Sequence, residues 1–67
     1  MSASDYVHLE VVKILHETDA AFLLLLEGGE EVWIPKSHVA DAERYSAGDR
    51  GCTVSITKWI AGKKGLD

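Results

Sequence analysis

Sixty-seven residues make one domain, and a chain this short buries only about 60% of the surface its unfolded form exposes. The 46% hydrophobic and 27% charged fractions exclude a disordered chain. The net charge of −4 argues against general binding to duplex nucleic acid, and the single cysteine, Cys52, excludes an internal disulfide. A core of this size supplies about 3–5 kcal/mol, so a partner copy or a metal is a natural supplement.

Met1 to Asp5 are small and polar and read as a flexible start to a domain that spans 1–67. Tyr6 to Leu15 alternate, with Val7, Leu9 and Val11 on one face and His8 and Glu10 on the other. Val12 and Ile14 then break the phase, which predicts a β-bulge or a sharp bend. Glu17-Thr18-Asp19 is a polar turn.

Ala21 to Leu26 form a second strand, apolar on both faces. A strand in a one-layer sheet needs one apolar face, so Leu23 and Leu25 are expected to meet something beyond the internal core. Glu27-Gly28-Gly29-Glu30 is a tight hairpin connection, and Glu31 to Ile34 form the third strand, stopped by Pro35. Ser37 is placed to cap a short helical turn from Ser37 to Glu43. Tyr45 to Asp49 form a loop. Cys52 to Thr57 alternate, with Cys52, Val54 and Ile56 inward. Thr57 then caps a short helix through Lys64, with Gly65 at the left-handed stop and Leu66 folding back. The order predicts a mainly β fold: a small antiparallel SH3-like, or OB-like, barrel with a short C-terminal helix. No stretch is long and apolar enough for a membrane helix, and no signal peptide is visible; with a free thiol, the expectation is a cytoplasmic protein.

Three segments resemble a group of small, mostly uncharacterised proteins of phage and bacterial origin. They are Glu17-Thr18 with Ala20-Ala21-Phe22-Leu23; Val32-Trp33-Ile34-Pro35-Lys36-Ser37; and Trp59-Ile60-Ala61 with Lys63-Lys64-Gly65-Leu66. The likeness covers most of the chain and departs at Ala20, where lysine is usual, and at His38, where glutamine is common. It implies a small β-domain in a phage or mobile-element setting and carries over no catalytic residue.

Three functional readings follow from the residues. Leu23, Leu25 and Trp33 make a contact face for a second copy of the chain, giving a dimer or tetramer, or for another protein. This non-enzymatic interaction module is the leading expectation. Packing of Trp33 under the C-terminal helix is the plain alternative.

Lys36, Lys58, Trp59, Lys63 and Lys64 combine cations with an aromatic ring, as single-stranded nucleic acid requires, although C-terminal lysines also suit the helix dipole. His8, His16 and His38 would make a zinc site, and with the turn carboxylates Glu27, Glu30 and Glu31 a minimal metal-dependent hydrolase. His8 and His16 are eight residues apart on one strand, roughly 26 Å if it is straight, so such a site must form across subunits. Ordinary surface histidines and a solvated acidic turn are the competing explanation. Cys52 reads as a small buried hydrophobe rather than a nucleophile.

Overall fold

The structure is a computed structural model and describes residues 5–66. The flexible start expected for Met1 to Asp5 therefore falls, except for Asp5, outside the described residues. Four antiparallel strands form one curled sheet: β1 (Tyr6–Glu17), β2 (Ala21–Leu26), β3 (Glu31–Pro35) and β4 (Arg50–Thr57), in spatial order β3-β2-β1-β4. One helix, α1 (Lys58–Lys64), follows β4 directly. The mainly β, barrel-like fold with a short C-terminal helix is the one the sequence predicts.

β1 curls because its register slips twice, between Val11 and Lys13 and between Ile14 and His16. The first slip leaves Val12 as the extra residue, 44% exposed, and returns Ile14 to the interior. This is the phase change read from Val12 and Ile14. The bend lets one strand pair with β2 on one side and β4 on the other. Gly28 and Gly29, at φ 97° and 89°, make the β2–β3 turn in a conformation that side chains resist.

β3 runs through Pro35, one residue further than expected. The backbone of Lys36 donates to Ala20 next to it, so Pro35 and Ala21 fall in a pair that exchanges no hydrogen bonds and no N–H is missed. β4 likewise starts two residues before Cys52, at Arg50, which pairs with Lys13.

The predicted single turn from Ser37 to Glu43 is corrected. Two 3-10 turns, Lys36–His38 and Ala42–Arg44, stand on either side of Val39. Pro35 occupies the position before the first turn and no side chain caps it, so Ser37 is not a cap. Val39 is extended instead and bridges to Ile56, and the Ala40 N–H donates to Ser55 at 2.9 Å. The exposed edge of β4 thus captures the chain where a helix would have continued.

Leu9, Val11, Ile14, Phe22, Leu24, Leu26, Ile34, Val54 and Ile56 fill the interior, closed off by Val39 and by Ile60 and Ala61 of α1. Thr57 caps α1 as expected, its Oγ1 accepting from the Ile60 N–H at 3.3 Å. Gly65 ends the helix at φ 70°, and Leu66 folds back onto the core.

Candidate functional site

Two surfaces emerge. The first is the outer face of β2 and β3. Leu24 and Leu26 are buried, so Leu23 and Leu25 point the other way and are half-buried. Val32 and Ile34 turn toward the core, and Trp33 faces out with 44% of its surface exposed. Packing of Trp33 under the helix is thereby set aside: α1 lies against β4 and β1 and puts Ile60 and Ala61 into the core.

Cross-strand register orders this face in rows. His16, Leu23 and Trp33 are in line across β1, β2 and β3, and Lys13, Leu25 and Glu31 make a parallel row. Directly paired residues share a face, so each apolar centre has different neighbours at its two ends. The second row is cationic on the β1 side and anionic on the β3 side.

The second surface lies at the junction of β1, β4 and α1. Tyr6 pairs with Thr57, which sets Tyr6 beside the start of the helix. Tyr6 and Trp59 are 41% and 58% exposed and line a cleft of about 350 Å³ together with Asp5, Thr57 and Lys58. Trp59 is held from behind: the His38 ring stacks on it at 5.0 Å between centroids and 24° between planes. His38 Nδ1 is 2.9 Å from Thr57 Oγ1, the same oxygen that caps α1. Lys63 Nζ sits 4.8 Å from the Trp59 ring centroid.

The predicted nucleic-acid residues divide. Lys58, Lys63 and Lys64 share α1 with Trp59. Lys36 is otherwise engaged: its Nζ donates to Glu17 Oε2 at 2.7 Å and lies 4.9 Å from the Phe22 ring centroid. Glu17 Oε1 also accepts the Ala47 N–H, and the two contacts, Lys36 foremost, hold the Glu17 carboxyl below its ordinary range.

The three histidines separate into different settings. His8 Nδ1 contacts Ser55 Oγ at 2.7 Å, His38 contacts Thr57 and Trp59, and His16 is exposed beside Leu23. Among the described residues no three of His, Cys, Asp or Glu come close enough to hold one metal ion within a single chain. Glu27, Glu30 and Glu31 are exposed around the hairpin turn. Cys52 is partly covered, and burial, with the charge of Asp49, pushes its thiol up.

Sequence reasoning did not single out Tyr6, and it read His38 as an ordinary surface histidine or, alternatively, a ligand in a metal site across subunits. Neither residue carries a local signal of these contacts, because Tyr6 meets Thr57 through the pairing of β1 with β4, and His38, in the first 3-10 turn, meets Thr57 beside the Val39–Ile56 bridge. No known protein family matches the chain, and no curated protein or solved structure does so either. No helix among the described residues is long and apolar enough to cross a membrane.

Proposed function

We propose that this chain is a small, non-enzymatic interaction module that self-associates through the outer face of β2 and β3, and that the assembly presents itself to a further protein partner. One observation carries the reading: the face is complementary to itself. A two-fold axis running along β2, between two facing copies, lays Leu23 on Leu23 and Leu25 on Leu25. It also lays Lys13 of each copy over Glu31 of the other, and His16 over Trp33. A heterologous partner requires no such symmetry of charge about an apolar centre.

The phage or mobile-element setting is part of the same proposal and rests on the resemblance carried by the Val32-Trp33-Ile34-Pro35-Lys36-Ser37 and Trp59-Ile60-Ala61 segments. A cytoplasmic location rests on the free Cys52 thiol.

Solution mass by light scattering, with and without a metal chelator, tests the module. A dimer in both samples is expected. Lys13→Glu alone sets two carboxylates against each other at each end of the interface and should shift the mass toward monomer. Lys13→Glu combined with Glu31→Lys should restore the dimer. A monomer throughout, or a double variant no better than the single one, refutes the proposal; loss of the dimer only with chelator favours a metal shared across subunits instead.

A further inference from the structure

We propose that the cleft between Tyr6 and Trp59 receives a base of a single-stranded nucleic acid, with the lysines of α1 meeting the adjoining phosphates. The inference does not rest on self-association, because none of the residues lining the cleft, Asp5, Tyr6, Thr57, Lys58 and Trp59, belongs to the Leu23, Leu25 and Trp33 face.

The geometry favours a flat ligand. Two large exposed aromatic side chains, Tyr6 and Trp59, line the same cleft of about 350 Å³. Trp59 is not loose. His38 backs its ring, and Thr57 fixes both His38 and the first turn of the helix. A ring already ordered loses little freedom on stacking, which is what a base platform needs.

The charge favours a polyanion. The chain as a whole is −4, yet α1 reads Lys-Trp-Ile-Ala-Gly-Lys-Lys, with three of the seven cationic residues and no carboxylate. Asp5 is the one acidic residue lining the cleft among the described residues. Lys63 rests over the Trp59 ring. A base stacking there displaces the ammonium by a short side-chain rotation and supplies a phosphate beside it. Cation–π contact is thus exchanged for an ion pair, with no charge left bare.

Other polyanions fit less well. An acidic peptide answers the lysines but offers no flat face to the two rings. Duplex DNA keeps its bases stacked inside, and three lysines on a net-negative chain are too few to hold it by phosphates alone.

Fluorescence anisotropy of labelled oligothymidylate and oligouridylate of about 12 nucleotides tests the site. Binding of either is expected. For two lysine–phosphate contacts on a single strand, from Lys58 and Lys63, the log–log salt slope should be about −1.4, so a rise from about 50 to about 200 mM salt weakens binding roughly sevenfold. Trp59→Ala should weaken it roughly 5- to 150-fold, with Trp59→Phe recovering part of the loss. Tyr6→Leu should act in the same direction while keeping a strand-compatible side chain. Lys58→Gln should reduce the slope by about 0.7 and leave the helix intact. The proposal is overturned by no binding at about 100 μM protein in low salt. It is also overturned if Trp59→Ala binds like the parent, or if a duplex of equal length competes as well as the single strand.

Discussion

Replacing Thr57 with alanine removes one oxygen that serves two partners. Thr57 Oγ1 accepts the Ile60 N–H, and it also contacts His38 Nδ1 at 2.9 Å. Loss of an N-cap side chain costs about 1 kcal/mol. Loss of the second hydrogen bond, at a half-buried imidazole, adds about 0.5–1.5 kcal/mol. The sum is about 1.5–2.5 kcal/mol, up to half or more of what a core of this size supplies. At about 4–8 °C per kcal/mol for a domain of this length, Thr57→Ala should lower Tm by roughly 6–20 °C. Thr57→Ser keeps the oxygen and should recover most of that. Thermal melts followed by circular dichroism measure the loss, and Trp59 fluorescence reports whether the ring has come away from His38. A fall in Tm of less than about 3 °C, or a serine variant as damaged as the alanine one, would refute the dual role.

The two faces of β2 should respond oppositely to truncation. Leu24→Ala empties a fully buried site and should cost about 3 kcal/mol or more, whereas Leu23→Ala, in samples dilute enough to be monomeric, should cost under about 1 kcal/mol by urea titration. Glu17 is ionised more readily in the folded protein, so its contribution is complete above the ordinary carboxylate range and fades as pH falls through its depressed value. The stability gap between the parent and Glu17→Gln should therefore be present at neutral pH and close in acid, as paired urea titrations will show. Cys52, with its thiol pushed up by burial and Asp49, should be alkylated by iodoacetamide more slowly at neutral pH than free cysteine, with the rate rising only in alkaline solution. Gly65→Ala forces a side chain into the left-handed region and should lose about 1 kcal/mol in the same melts.

Much of the fold was legible because its signals are local. The apolar run of Ala21 to Leu26 matches β2 residue for residue, and the break in alternation at Val12 announced the bend in β1. Thr57 and Gly65 bracket α1 as their chemistry requires. The turn after Pro35 was misread because Ser37 resembles a cap, while the competing claim on Val39 comes from Ile56 in a distant strand. The outward face of Leu23 and Leu25 was visible from period, whereas period allows Trp33 either that face or packing under the helix, and the inward turn of Val32 and Ile34 decides between them. The cleft was not: His38 and Thr57 stand 19 residues apart, as do Glu17 and Lys36, and no local pattern reports such meetings.

The pairing of β1 with β4 also sets an order of events. The β2–β3 hairpin closes over a two-glycine turn, but His8 and Ser55 lie 47 residues apart and meet only after most of the chain has been gathered in. Closing so long a loop is slow, and its entropy is repaid only once the whole ladder and the capped helix lock. Tyr6 and Thr57, the most widely separated pair of that ladder, are expected to meet late. An early collapsed chain, its hairpin already formed, would thus show a β2–β3 face and no cleft. The Tyr6–Trp59 neighbourhood is then a late signature of folding, and refolding followed by Trp59 emission in a Trp33→Phe variant should lag behind formation of the hairpin.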